Sequence, residues 1–213
     1  MQSRRMLAKS SPFCQGWMIY LILVVLTGLV GCGDATVARS YRVAKVYDGD
    51  TIRLANGTKV RLIGIDCPEM RENDKLGYDA RRANLSPGLI MRQGKQAYEF
   101  VRQLLGGGHV QLDYDIERKD KYGRLLAYVW LEVKVDEKDG LNDFPEYYVF
   151  EYRAVGGERK RPFLFVNATL LNAGYARPMS IPPNTRYAEE FRSLYQAARE
   201  HRRGLWQNLS PAI

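Results

Sequence analysis

From Arg42 onward, polar and apolar side chains alternate over short runs, and the alternation predicts β-strands. Arg42–Tyr47 and Thr51–Leu54 alternate, and Lys59–Ile65 is rich in β-branched residues. Asp48-Gly49 joins the first pair and Asn56-Gly57 the second. Both dipeptides favour the positive φ of tight hairpin turns, so the stretch reads as a three-stranded meander. The period changes at Gln93–Leu105, where Ala97, Phe100, Val101, Leu104 and Leu105 recur at helical spacing until Gly106-Gly107-Gly108 stops the run. His109–Ile116 and Leu125–Val135 alternate again, separated by the turn "DKYGR". Residues 70–92 are polar and irregular, contain Gly77, Pro87 and Gly88, and are predicted to form a long loop.

The C-terminal third mixes the two periods. Residues 136–161 have the tyrosine-rich alternation of an inserted hairpin closed at Gly156-Gly157, and Phe163–Val166 returns as a short strand. Asn167 is placed as the cap of a helix running to Asn172 and ended by Gly174. Ser180–Thr185 is a Pro-Pro loop, Tyr187–Arg202 an amphipathic helix closed by Gly204, and Leu205 and Trp206 fold back onto the core. Five strands, a helix between the third and fourth, and helices at the end predict an all-β core with packed helices. The expected architecture is a five-stranded OB-fold barrel with about three helices and an inserted hairpin, a type that commonly binds oligonucleotides on one face.

The first 31 residues read differently. Arg4, Arg5 and Lys9 precede the unbroken apolar run Trp17–Leu26, which is short for a spanning helix and has the layout of a secretory signal. The following "LVGC" resembles the lipobox of bacterial lipoproteins, which implies cleavage before Cys32, lipidation of that cysteine and a membrane tether over residues 32–40. An uncleaved signal anchor is the other reading of the same run; both place the domain, residues 41–208, outside the cytoplasm. Export followed by anchoring to a cell-envelope membrane is therefore expected, with secreted or periplasmic release as the alternative.

Hydrophobic content of 46% and aromatic content of 11% exclude a disordered chain, and the 213 residues suffice for one domain with a real core. The formal charge of +8 favours an anionic partner, and +5 remains when residues 1–31 are removed. Of three cysteines, Cys14 goes with the signal, Cys32 carries lipid, and Cys67 is left without an intramolecular partner, so no disulfide framework exists. The two histidines, His109 and His201, are far apart in sequence, which argues against a Cys/His zinc site. They read as a strand edge and a solvated helix end.

Candidate chemistry gathers in five pieces: "DGDT" (48–51), "VRLIGIDCPE" (60–69), "DKYGRLLAY" (120–128), "NAGYAR" (172–177) and "GLW" (204–206). Asp50 begins a strand and Asp66 ends one, so neighbouring strands would bring two hard oxygen donors to one rim. Pro68 fixes the backbone that carries Glu69. Arg61, on an apolar strand, needs a charged partner, either a structural carboxylate or a phosphate, and Arg124 follows the Tyr122-Gly123 turn with its guanidinium fork free to be presented. Asp48 reads as the turn residue, and Arg159-Lys160-Arg161 as a solvated hairpin end.

The order and spacing of these pieces resemble the staphylococcal nuclease (thermonuclease) family over roughly residues 40–207. The resemblance implies a calcium-dependent phosphodiesterase cutting DNA and RNA, single strands preferentially, to 3′-phosphate and 5′-hydroxyl ends. It implies that Asp50, Asp66 and the backbone oxygen of Cys67 ligate Ca²⁺, that Glu69 positions the attacking water, and that Arg61 and Arg124 clamp the phosphoryl group. Lys121 and Tyr122 would approach a terminal phosphate. The partners expected are nucleic acid and, through the lipid, a membrane; no small-molecule cofactor is expected, and the protein is expected to be a monomer. The sequence departs from the family pattern in two places. Cys67 stands where the family has threonine, which predicts sensitivity to oxidation or alkylation. Met179 and Ile181 stand about where the family has two tyrosines, so base stacking is not expected there. The rival readings are a non-catalytic OB-fold nucleic-acid-binding lipoprotein, disfavoured because all five acidic and arginine positions are filled, and an envelope structural protein.

Overall fold

The computed structural model describes residues 39–133, 149–152 and 161–207. The signal segment, Cys32 and most of the tether lie outside them, as do residues 136–148 and 153–160 of the predicted insertion. Strands β1 (Ser40–Val46), β2 (Thr51–Leu54) and β3 (Lys59–Leu62) form the predicted meander. The Asn56-Gly57 turn closes as expected, with Leu54 N–H and Thr58 C=O bonded at 2.9 Å and Gly57 at φ +87°. A bulge between Val43 and Lys45 bends β1, which lets it pair with β2 on one side and with β5 (His109–Asp113) on the other. β5 pairs antiparallel with β6 (Leu125–Glu132), and β6 runs parallel to β3. That last pairing closes a five-stranded barrel in the order β3-β2-β1-β5-β6, the OB-type core the alternation predicts. Its interior is filled by Ile52, Leu54, Val60, Leu62, Val110 and Val129, all essentially inaccessible.

The expected third strand breaks in two. Gly64 sits at φ +79°, and a Cβ there would meet the Phe191 ring at 2.6 Å. The chain therefore turns out of the barrel after Leu62 and resumes as β4 (Gly64–Asp66). β4 pairs with β9 (Arg177–Met179) in a second, two-stranded sheet that sets Asp66 opposite Arg177.

The predicted long loop 70–92 is instead largely helical. Helix α1 (Asp74–Ala83) begins at Asn73, whose side chain accepts from Leu76 N–H, and ends at Asn84 in the left-handed conformation. Asp74 in the first turn and Arg81 and Arg82 in the last suit the helix dipole. Leu76 and Ala80 pack with Ile90 in a small satellite core. Helix α2 (Pro87–Leu105) starts six residues before the predicted point, because Pro87 occupies the first turn, where its missing N–H costs nothing, and Ser86 caps it. Its Ala97, Val101 and Leu105 stripe joins the barrel core.

Beyond the barrel, β7 (Val149–Tyr152) and β8 (Arg161–Phe165) pair antiparallel, and β8, which includes most of the short strand expected at Phe163–Val166, continues the sheet from β6. Helix α3 spans Val166–Asn172. Asn167 is not its cap: the side chain lies inside the helix, fully buried, accepting from Val129 N–H and donating to Ile63 C=O. It ties α3 to the broken end of β3 and satisfies polar groups the barrel would otherwise strand. Helix α4 (Ala188–Glu200) is held by Tyr128, Phe165, Tyr187 and Phe191, with Tyr128 and Tyr187 in edge contact at 4.7 Å. Trp206, in the closing 3₁₀ turn Gly204–Trp206, meets Tyr195 edge-on. Four α-helices are thus described where about three were expected. His109 and His201 are exposed, at the start of β5 and the end of α4. Among the described residues no helix is long and apolar enough to cross a membrane.

Candidate active site

Asp50 immediately precedes β2 and Asp66 ends β4, so the break at Gly64 decides where the second carboxylate points. Both are over nine-tenths buried, at 7% and 8% exposure, and so is Arg61 of β3 at 8%. One guanidinium nitrogen serves both acids: Arg61 Nη2 lies 3.2 Å from Asp50 Oδ2 and 3.4 Å from Asp66 Oδ1. Its other terminal nitrogen donates to Leu62 C=O at 2.9 Å, which fixes the plane of the group. Asp50 also accepts from Cys67 N–H at 2.9 Å and from the Thr51 hydroxyl at 3.1 Å. The predicted convergence of Asp50, Asp66 and Arg61 on one rim is present, with the two carboxylates as the arginine's partners.

These contacts do not neutralise Asp50. Burial pushes its carboxyl up from the ordinary 3.8 to about 7; Arg61 and the Cys67 N–H pull it down, while Asp48 and Asp66 push it further up. A buried acid short of positive charge is a place for a cation. The donor chemistry fits a hard divalent ion: two converging carboxylates on rigid strand ends, with the Cys67 main chain directly after Asp66. Among the described residues no three acidic, histidine or cysteine side chains form a complete metal cluster, so main-chain oxygen and water would have to complete such a shell.

Glu69 stands beside this pair, joined to it through a lysine outside the predicted set. Lys75 Nζ donates to Asp66 Oδ1 at 2.9 Å and to Glu69 Oε1 at 2.8 Å. Burial costs the Lys75 ammonium, but the Glu69 hydrogen bond and the Asp66 charge outweigh that and hold its pKa above the ordinary lysine value. Asn73 Nδ2 donates to the other Glu69 oxygen at 3.0 Å. The backbone beneath Glu69 is set by Gly94 of α2, where a Cβ would lie 2.6 Å from both Pro68 C=O and Glu69 C=O. Only a residue without a side chain lets the helix approach so closely.

Arg124 reaches the rim from the turn that precedes β6. Asp120 organises its turn, accepting from the N–H groups of Tyr122 and Arg124 and from Arg124 Nε at 2.7 Å. Arg124 Nη1 then lies 3.5 Å from the Thr51 hydroxyl, which itself donates to Asp50. Tyr122 is 72% exposed, and Lys121 Nζ and the Arg124 guanidinium both lie over its ring, at 5.1 and 5.6 Å from the centroid. Lys121, Tyr122 and Arg124 therefore form one cationic, aromatic projection flanking the rim.

Two further residues, Asn73 and Asp79, escaped sequence reasoning besides Lys75, and Arg177 appeared there only as the end of the "NAGYAR" piece, with no role given to it. Arg177 lies opposite Asp66 in register, 3.9 Å from its Oδ2 and 3.7 Å from Asp79 Oδ2. Asp79, on α1, is buried, and that oxygen has no hydrogen-bond partner among the described residues. Arg177 ended the "NAGYAR" piece, but only the pairing of β4 with β9 brings it beside Asp66. Asn73, Lys75 and Asp79 had a local signal: an Asn-Asp pair ahead of Leu76 and Ala80 is a helix start, and i, i+4 spacing puts Lys75 and Asp79 on one face. Cys67 departs from expectation as well. Its thiol is buried, and burial together with the Asp50 charge pushes its pKa well up, which opposes formation of the thiolate that oxidation or alkylation needs. Asp48 is the turn residue foreseen, accepting from Asp50 N–H at 3.0 Å. Met179 is half-buried in β9, and Ile181 is exposed in the Pro-Pro loop.

Comparison with known proteins bears on this arrangement. The family described as "Staphylococcal nuclease homologue" matches residues 59–208. The thermonuclease of Staphylococcus intermedius is 31% identical over 172 residues, covering 79% of this chain and 76% of that protein. The thermonuclease of Staphylococcus hyicus is 28% identical over 80% of this chain and 77% of its own length. Endonuclease YncB of Bacillus subtilis is 29% identical, covering 76% of this chain and 59% of its own.

Proposed function

The chain belongs to the staphylococcal nuclease homologue family, and from that premise we propose that it is a calcium-dependent nuclease hydrolysing DNA and RNA to 3′-phosphate and 5′-hydroxyl ends. One observation carries the reading. Residues from separate sequence motifs, Asp50, Arg61, Asp66 and Glu69, meet within one chain of contacts that runs through Arg61 and Lys75. An ion pair serving stability alone is a poor explanation, since burying two carboxylates on a single guanidinium nitrogen leaves Asp50 undercompensated.

Asp50, Asp66 and the Cys67 carbonyl would hold the cation, which supplies Lewis acidity toward the phosphoryl oxygens. Arg61 and Arg124 both reach the rim, one through Asp50 and the other through Thr51, and a phosphodiester bound beside them would have its equatorial charge met as it grows. Glu69, held at both oxygens, accepts the proton of the attacking water. As the water oxygen bonds to phosphorus, the P–O5′ bond breaks, phosphate stays on the 3′ side, and the departing O5′ takes a proton from solvent. The exposed Lys121-Tyr122 projection suits a terminal phosphate or a neighbouring nucleotide. Contact would be mainly with the backbone, so binding weakens as salt rises, and the exposed Tyr122 ring suits the unstacked bases of single strands.

Labelled single-stranded DNA, assayed with Ca²⁺ and with EDTA and followed by end-group analysis, tests the reading. Cleavage to 3′-phosphate ends that stops with EDTA and is lost in Glu69→Gln is expected. Undiminished cleavage in EDTA would overturn the calcium assignment, and 5′-phosphate products would overturn the bond assignment. We further propose export and lipid anchoring at Cys32, on the strength of the "LVGC" segment. Cys32→Ser should lose the lipid mass and leave the membrane fraction, and an unchanged mass and fractionation would refute it.

A further inference from the structure

Glu69 has three side-chain torsions and is only partly buried, with 26% of its side chain exposed. Such a carboxylate ordinarily samples several rotamers. Here each oxygen has its own donor, and both donors come from the first turn of α1: Lys75 Nζ on Oε1 at 2.8 Å and Asn73 Nδ2 on Oε2 at 3.0 Å. The amide of Asn73 cannot turn round, because its Oδ1 accepts from Leu76 N–H at 2.8 Å as the helix cap. The hydrogen bond that starts the helix therefore aims the Nδ2 donor at Glu69. Lys75 is anchored in turn, since the same Nζ binds Asp66 Oδ1 at 2.9 Å. Two donors on two oxygens define the plane of the carboxylate as well as its position.

We propose that the N-terminal turn of α1 is a positioning clamp for Glu69, in which Asn73 and Lys75 fix the carboxylate that orients the attacking water. The proposal rests on the assignment of Glu69 to the water and names two positioning residues for it; neither touches substrate. The clamp couples helix formation to catalytic competence. Unless Asn73 caps α1, its amide is not aimed and Glu69 loses one of its two restraints. The satellite core of Leu76, Ala80 and Ile90 then acts on the chemistry without contacting it.

Asn73→Ser separates positioning from structure. Serine caps helices about as well as asparagine but has no donor that spans to Glu69 while its oxygen is held by Leu76. A purely structural Asn73 predicts wild-type kinetics for this variant. The clamp predicts that kcat falls about 10- to 100-fold while KM and the melting temperature stay near wild type, the loss expected when a reacting group is displaced by about an ångström. Asn73→Asp keeps the cap but sets a second negative charge against Glu69, and kcat should fall further. Lys75→Gln should lower kcat through the other oxygen, and Lys75→Arg should restore part of the loss. A crystal structure of Asn73→Ser should show the Glu69 carboxylate turned from its present plane or divided between rotamers. The clamp is overturned if Asn73→Ser keeps wild-type kcat, or if its loss is wholly in KM. That failure is distinct from failure of the site assignment, which would appear as full activity in Glu69→Gln.

Discussion

Replacing Asp50 by asparagine should abolish nuclease activity and, in the absence of divalent cations, make the protein more stable. Burial raises the Asp50 carboxyl from 3.8 to about 7, against the pull of Arg61 and the Cys67 N–H. A folded-state pKa above the unfolded one means that the folded chain holds the proton more tightly. The stability this group allows is thus greatest at low pH, declines as pH rises from about 4 to about 7, and stays low above that. The full shift corresponds to about 4 kcal/mol at alkaline pH, an upper limit for one buried, interacting acid. Asparagine removes the charge and keeps an oxygen for the Cys67 N–H. Arg61 loses its contact with Asp50 at 3.2 Å but retains Asp66 and Leu62 C=O. The pull of Arg61 is already contained in the value of about 7, and the limit of about 4 kcal/mol is an upper one, so a net gain of about 1–3 kcal/mol is expected near pH 8, or roughly 3–10 °C in melting temperature for a domain of this size. Between pH 8 and pH 5 that gain should shrink by about 2–3 kcal/mol, because folded Asp50 takes up its proton below about 7 while the unfolded carboxyl stays ionised. Urea titrations in EDTA at both pH values measure this directly. Asp50→Asn less stable than wild type near pH 8, or differing from it equally at the two pH values, would refute the claim that Asp50 is an undercompensated buried charge.

The two arginines should behave differently. Arg61→Ala removes the group shared by two buried carboxylates and should cost about 3 kcal/mol as well as activity. Arg124→Ala should lower kcat by about two to three orders of magnitude with a small stability change, because its close partner is the turn residue Asp120; denaturant melts beside single-turnover rates separate the two. Gly94→Ala should shift the Pro68–Glu69 backbone and lower kcat about 10-fold or more at near-normal substrate affinity, and unchanged turnover would show that the close approach does not set Glu69. The Cys67 thiol should resist Ellman's reagent in the native protein and react at once in denaturant, with no loss of activity from brief treatment of the native form; rapid native modification would contradict its burial.

The barrel was legible because its signals are local. Alternation over Arg42–Leu54 and Leu125–Glu132, together with Asn56-Gly57, is written in consecutive residues, and closure by β3 against β6 follows from filling one interior. Asp50 and Asp66 were legible because they stand at strand ends, Arg61 because a charge on an apolar strand needs a partner, and Glu69 through the resemblance carried by "VRLIGIDCPE". What the pattern misjudged was punctuation. Gly77 and Pro87 were read as loop signals, yet Gly77 is tolerated inside α1 and Pro87 starts α2, since a first-turn proline has no N–H to lose. Gly64 lay within a run of β-branched residues and showed its role only through Phe191, more than a hundred residues away.

Those misreadings concern the same region as the missed site residues, and the connection is physical. A long loop after Glu69 would leave that carboxylate at the edge of a mobile segment, able to find water only by chance. A capped helix beginning four residues later presents Asn73, Lys75 and Asp79 on one side, and the first two meet Glu69. Asp79 draws Arg177 toward the rim without satisfying it, leaving a guanidinium with two loose carboxylate contacts beside Asp66. The site thus has a rigid half, in which barrel strands fix Asp50, Arg61 and Asp66, and a half whose order depends on helix α1. Stability of the barrel and competence of the site are then separable quantities. A substitution that loosens only the first turn of α1, leaving every barrel strand intact, should yield a folded protein that still binds nucleic acid and cleaves it slowly.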